Sequence, residues 1–173
     1  ELENYSGDSI RAQNIIKFLK KKNKVDIICT AKDNNQKKIV NKGKIFFFKK
    51  NNFLLQIFYT FVAAFKLEPL QLGYFYSTNI KNFLQNNYKN YDTIVFHLIR
   101  SAQYLPKKFK GRKILEMTDL MSNNYSQTKK NLSGFNPFFY LYLLEGFLVK
   151  KYERLCSKIF DKIVLVSKKD LDN

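Results

Sequence analysis

Apolar and polar positions fall in blocks along this chain, and the blocks change period as they go. Ser9 can cap a helix from Ile10 to about Lys22. Ile10, Ile15, Ile16, Phe18 and Leu19 form its apolar face, and Lys20, Lys21 and Lys22 stand at the carbonyl end, where cations are favoured. Val25 to Cys29 reads as a strand, Asn34 to Lys44 as a polar loop, and Ile45 to Phe48 as a second short strand. Phe53 to Phe65 is an apolar helix ending before Pro69, and Tyr74 to Asn87 is a less strongly patterned one. Thr93 to Phe96 has the continuous pattern of a strand buried on both faces. Ser101 to Lys108 reads as a short helix, Lys113 to Met117 as the next strand, and Asp119 to Lys130 as a helix or ordered loop. Pro137 suits a first helical position, and that helix continues to about Ile159. Ile163 to Val166 is a further strand, with Ser167 placed to cap whatever helix follows. Helices alternate with strands, which predicts an α/β domain with a mostly parallel sheet and right-handed crossovers.

Composition narrows the class. The chain has 173 residues, 45% of them hydrophobic, enough for one full core. Six glycines and three prolines argue against a loop-rich, β-sandwich or disordered chain. A formal charge of +17 favours anionic partners, although lysine accompanied by so much Asn, Ile, Phe and Tyr is also what AT-rich codons produce on solvated faces. Nucleic acid is the less favoured partner: no RRM, zinc-finger or helix-turn-helix signature is present, and the lysines are spread along the chain. Cys29 and Cys156 lie far apart with no metal-ligand spacing, so both read as buried free thiols and no metal is expected. No apolar run is long enough to span a bilayer. The expected location is the cytoplasm. The polar opening, Glu1 to Gly7, reads as the middle of a loop, which leads us to expect a chain truncated at that end.

In open α/β sheets ligands bind beyond the C-terminal ends of the strands, so the residues after each strand carry the candidate chemistry. His97, the sole histidine, follows Phe96; imidazole there can donate to or accept from a reacting group. Its alternative is a structural role at the strand end. Arg100 can hold a phosphate or carboxylate, or simply be a surface arginine. Asp119 follows the next strand and can orient an acceptor hydroxyl or act as a base, or cap the following helix. Gly7-Asp8-Ser9-Ile10-Arg11 places a glycine at a helix N-terminus, where backbone N–H groups can approach an anion; it is neither a P-loop nor G-x-G-x-x-G.

Four segments taken in order resemble a family. Gly7 to Leu19 with Val25 to Ile28 is similar to the glycine loop, first helix and second strand of family 4 glycosyltransferases of the GT-B fold. Asp92 to Arg100 resembles the strand and histidine that follow, and Lys113 to Asp119 the next strand with its acidic residue. Tyr152-Glu153-Arg154 with Asp161 to Ser167 and Asp170 resembles the closing helix and strand of that N-terminal domain. The resemblance implies a Rossmann-like, mostly parallel sheet flanked by helices, one half of a GT-B fold, with residues 1–173 forming a single N-terminal domain. It implies transfer of a sugar from a nucleotide-sugar donor to a cell-surface polysaccharide or glycolipid acceptor, with retention, as in hexosyltransferases, and with no cofactor besides the donor. Gly7, Asp8, Ser9 and Arg11 would line the cleft near the donor diphosphate, His97 would lie near the transferred sugar, and Asp119 and Arg100 would face the acceptor. A retaining transfer of this kind needs no enzymic base, which weakens Asp119.

The chain departs from the pattern in three ways. These 173 residues hold no strand before the glycine loop and no nucleotide-binding C-terminal domain, both of which are expected to have been cut off, and Gly7 is followed by Asp8 where the family often has a second glycine. On this reading the missing domain is a partner, and the isolated chain is inactive. Glu145 and Glu153 imitate the spaced glutamate pair of that second domain, but both fall within one amphipathic helix and are read as coincidence. The aromatic segments Phe53 to Phe65 and Phe138 to Leu144, flanked by Lys49, Lys50, Lys150 and Lys151, either pack in a core or dock on an anionic membrane surface. Docking would suit a lipid-linked acceptor and a peripheral position at the inner face of the cell membrane. The alternative to an enzyme is a non-enzymatic basic binding module on the same scaffold.

Overall fold

The computed structural model of the protein describes residues 7–31, 36–40, 42–130, 133 and 135–165. The chain is mixed α/β and divides into two compact units, residues 1–51 and 52–173. The expected strand end Val166, the cap Ser167 and Asp170 lie outside the described residues.

In the first unit, helix α1 (Gly7–Lys20) precedes strands β1 (Ile27–Ala31), β2 (Gln36–Val40) and β3 (Gly43–Lys49), which form a three-stranded sheet in the order β1-β3-β2. β1 runs parallel to β3, and β2 runs antiparallel to it. The segment from Asn34 to Lys44, expected to be a loop, therefore contains β2. Its Gln-Lys-Lys opening hides a strand at the edge of the sheet, paired with β3 among the described residues, and edge strands commonly carry lysine because charge blocks further pairing. Gly43 is obligatory at the return into β3. Its φ is 149°, and a Cβ there would lie 1.9 Å from the Val25 carbonyl oxygen. The Lys42 ammonium reaches the Lys20 and Lys21 carbonyl oxygens at the end of α1, the position where a helix dipole favours a cation. Helix α1 already includes Gly7, so Ser9 lies inside its first turn and does not cap it.

The second unit holds the remaining elements. Helices α2 (Phe53–Phe65), α3 (Leu70–Tyr74) and α4 (Thr78–Asn87) lead into strand β4 (Thr93–His97). A short 3-10 helix, Ile99–Tyr104, then precedes β5 (Arg112–Glu116), α5 (Met121–Lys130), α6 (Pro137–Ile159) and β6 (Lys162–Val164). β4, β5 and β6 form an all-parallel sheet in that order. The single sheet expected from the sequence is thus two three-stranded sheets, one in each unit.

Local chemistry sets the helix ends. The Asn52 side chain accepts from the Leu55 N–H and starts α2, and the Ser77 side chain accepts from Ile80 to start α4. The helix expected from Tyr74 to Asn87 is broken at this second cap. α3 packs closely on α2, because a Cβ at Gly73 would meet the Tyr59 carbonyl oxygen at 2.2 Å. Leu115 on β5 and Val149 on α6 are fully buried, and Phe96 packs edge-to-face on Phe160 with ring centroids 5.6 Å apart. Asp161 joins the starts of β5 and β6: its Oδ2 accepts from the Lys113 N–H at 2.7 Å, and its own N–H donates to the Lys113 carbonyl.

Tyr104 ties the 3-10 helix to the segment between α3 and α4. Its hydroxyl accepts from the buried Ser77 N–H and donates to the Phe75 carbonyl, both at 2.8 Å. Burial pushes its phenol up to about 12, so it remains a donor at physiological pH. Tyr104→Phe removes partners from a buried donor and a carbonyl at once. Urea denaturation is expected to show a loss of about 1–3 kcal/mol; an unchanged midpoint would mean that these two bonds are dispensable.

Candidate active site at the strand ends of the parallel sheet

Strand register brings the site together. β4 and β5 pair Thr93 with Arg112 and, at their C-terminal ends, His97 with Glu116. Residues paired this way project to the same face of a sheet. The His97 Nδ1 meets the Glu116 Oε2 directly. The Glu116 side chain is 4% exposed, whereas His97 is 28% exposed, so a buried carboxylate holds a ring whose other side reaches the surface. In the tautomer that donates from Nδ1 to this carboxylate, Nε2 is the ring nitrogen left to accept from another group.

The backbone after His97 is held in a strained conformation. Leu98 has a φ of 68°, uncommon for any residue but glycine, and it persists because its surroundings fix it. Its N–H donates to the Glu116 carbonyl at 2.8 Å, and the Ser101 hydroxyl donates to the Leu98 and His97 carbonyls at 2.7 and 2.9 Å. Strain of this kind collects at functional sites. It turns the chain sharply at His97 and sends it into the 3-10 helix, which the sequence places two residues later, at Ser101.

Arg100 lies in that helix, its guanidinium 4.2 Å from the centroid of the Phe75 ring, a cation–π contact. The Gln103 side-chain amide donates to the Arg100 and Leu72 carbonyls. The Arg100 guanidinium thus lies over Phe75 while Gln103 holds its backbone carbonyl, three residues after His97. Asp119 is exposed in the turn between β5 and α5. The capping role open to it is filled from elsewhere: the Ser122 N–H and hydroxyl, in the first turn of α5, donate to the Glu153 carboxylate at 3.1 and 2.6 Å.

Gly7, Asp8, Ser9 and Arg11 occupy the first turns of α1 in the first unit. Gly7 is exposed, and a Cβ there would meet nothing within 4 Å, so no close backbone approach at this position requires glycine.

Glu145 and Glu153 are buried and structural, as their place within one helix suggests. Glu145 accepts from the Leu70 and Gln71 N–H groups at 2.8 and 3.2 Å and so caps α3, just as Glu153 caps α5. Burial pushes the Glu145 carboxyl above its ordinary value near 4.5, opposed by the two N–H donors. A raised folded-state value means that ionising Glu145 costs the fold stability. That contribution is complete below the ordinary value and is lost as pH rises through the raised one. Glu145→Gln is expected to flatten the wild-type fall in stability over this window; parallel pH profiles for the two proteins would contradict it.

Both cysteines are free thiols, Cys156 buried and Cys29 partly so; burial pushes the Cys156 thiol up to about 12. Among the described residues no group of three or more His, Cys, Asp and Glu side chains could hold a metal ion, and no helix is long and apolar enough to cross a membrane.

Glu116 has no assigned role in a reading of the sequence alone. Its signal is a single acidic residue inside an otherwise apolar strand end, but its partner becomes visible only once β4 and β5 are in register. Compared with protein-family models, curated proteins and solved structures, the chain matches none.

Proposed function

We propose that this chain is the acceptor-side part of a glycosyltransferase with a Rossmann-like fold of the GT-B type, moving a sugar from a nucleotide donor to a glycan or lipid-linked acceptor. The observation that carries the reading is the His97–Glu116 pair at the C-terminal ends of adjacent parallel strands, where open α/β sheets bind ligands. In a retaining transfer the bond from the anomeric carbon to the donor phosphate breaks and the bond to the acceptor oxygen forms on the same face. The acceptor proton leaves on the diphosphate. The protein's work is then positioning and charge stabilisation. His97, fixed through Nδ1, offers Nε2 to a hydroxyl of the transferred sugar. Arg100, held over Phe75, offers its guanidinium to an anionic or polar acceptor group, and Asp119 orients an acceptor hydroxyl.

The test is release of nucleoside diphosphate from a panel of UDP-, GDP- and dTDP-sugars by the protein as its gene encodes it, with and without glycan and polyprenyl-phosphate acceptors. Acceptor-stimulated release supports the reading. A protein that neither binds nor turns over any member of the panel overturns it.

A further inference from the structure

Helix α2 carries an apolar stripe that no described residue of its own unit covers. Leu54, Phe58, Phe61 and Phe65 recur at the spacing of one helical face, and they are 77%, 58%, 61% and 88% exposed. The opposite face holds buried Ala63 and the Thr60 hydroxyl, which bonds back to Gln56. The exposed face of α6 changes character along its length. Tyr140, Leu144 and Phe147 are exposed and apolar; Lys151, Arg154 and Lys158 continue the same face as cations.

A groove of about 560 Å³ lies between α6 and the segment that follows α2, Lys66 to Pro69, where the α2 stripe ends at Phe65. Leu67, Phe147 and Leu155 give it an apolar lining, and Lys66, Lys150, Lys151, Arg154 and Lys158 surround it, with Glu68 as the single acid. An apolar floor inside a ring of cations matches one environment closely: acyl chains beneath phosphate headgroups. A second copy of this chain fits poorly, because a two-fold contact would set five cations against five. Nucleic acid would use the cations and leave the phenylalanines in water.

We propose that this surface seats the protein on an anionic phospholipid bilayer, with the α2 stripe and the apolar half of the α6 face in the acyl boundary and the groove cations on lipid phosphates. Apolar area and basic charge act together in such binding. The contact proposed is peripheral, since among the described residues no helix is long and apolar enough to cross a membrane. The inference stands independently of sugar transfer, since it rests on side chains remote in sequence from His97 and is tested with no sugar nucleotide present.

The experiment is vesicle flotation of the full chain with phosphatidylcholine alone or with phosphatidylglycerol added. Wild type is expected to float with the anionic vesicles, to remain behind with neutral ones, and to be released by high salt, since ionic screening weakens surface charge contacts. Lys150→Ala with Lys151→Ala should weaken partitioning by about 25-fold, on the basis of about fivefold per basic residue at the surface. Phe61→Ser with Phe65→Ser should weaken it by about tenfold or more while circular dichroism stays unchanged, because both rings are already exposed. Equal flotation with both vesicle types, flotation with neither, or full retention by both variants overturns the proposal. A dimer in size exclusion that splits in the phenylalanine variant, with no flotation of wild type, assigns the surface to a second copy instead and overturns it as well.

Discussion

Alanine at both Glu145 and Glu153 is expected to lower the stability of the larger unit by about 6–12 kcal/mol, enough to unfold most of it at room temperature, while either change alone costs about 3–6 kcal/mol. Each carboxylate is buried and accepts two hydrogen bonds from the first turn of another helix. Bonds to a charged acceptor contribute about 1.5–3 kcal/mol each, and removal leaves buried donors without partners. The two residues are eight positions apart on α6, about 12 Å along the axis, and share no partner, so their effects should add. The sum approaches the whole stability of an ordinary domain, about 5–15 kcal/mol.

The glutamine variants sharpen the prediction. At position 153 the Ser122 hydroxyl can turn and accept from the new amide, so Glu153→Gln should cost less than about 1 kcal/mol. At position 145 both partners are backbone donors. Glu145→Gln sets one N–H against another and should cost about 1–3 kcal/mol. Urea denaturation followed by circular dichroism reads all of these. Alanine variants with wild-type midpoints would mean that the two glutamates serve something other than helix ends.

His97→Ala is expected to lower sugar-transfer turnover by at least tenfold with the fold intact, because the ring is part-exposed and the strand backbone does not depend on it. A tenfold loss corresponds to about 1.4 kcal/mol of transition-state stabilisation, a modest demand on one oriented hydrogen bond. Glu116→Gln keeps an acceptor for Nδ1 and removes the charge, so its loss should be smaller than that of His97→Ala. Unchanged turnover in His97→Ala would remove the histidine from the site.

Much of the secondary structure was legible because it follows from local pattern. Phe53–Phe65 and Pro137–Ile159 have the bounds expected of them: each is a long apolar-faced run with an Asn just before it to accept an N–H of the first turn. The misses have distant causes. α3 is five residues long and owes its start to Glu145, 75 residues away, which no window of sequence contains. β2 looks polar because an edge strand must. The cap assigned to Ser9 failed because the helix begins before it.

The site divides in the same way. The place of His97 was legible, since it follows an apolar strand directly. Its partner was not, because the pairing of Glu116 with His97 is a matter of register between strands joined by residues 98–111, irregular chain and 3-10 helix, about which neither strand's own sequence carries information. The strain at Leu98 is likewise a tertiary fact, since nothing about a leucine foretells a positive φ.

His97 is the sole histidine, so the nitrogen spectrum of the imidazole contains one ring and needs no assignment. Proton–nitrogen correlation of that ring, in wild type and in Glu116→Gln, tests the pair at the centre of this account. The account predicts a proton held on Nδ1, a marked change in that nitrogen when the carboxylate becomes an amide, and a shift of Nε2 when a sugar nucleotide that the protein turns over is added. A ring protonated on Nε2 alone, indifferent to Glu116→Gln, would contradict it.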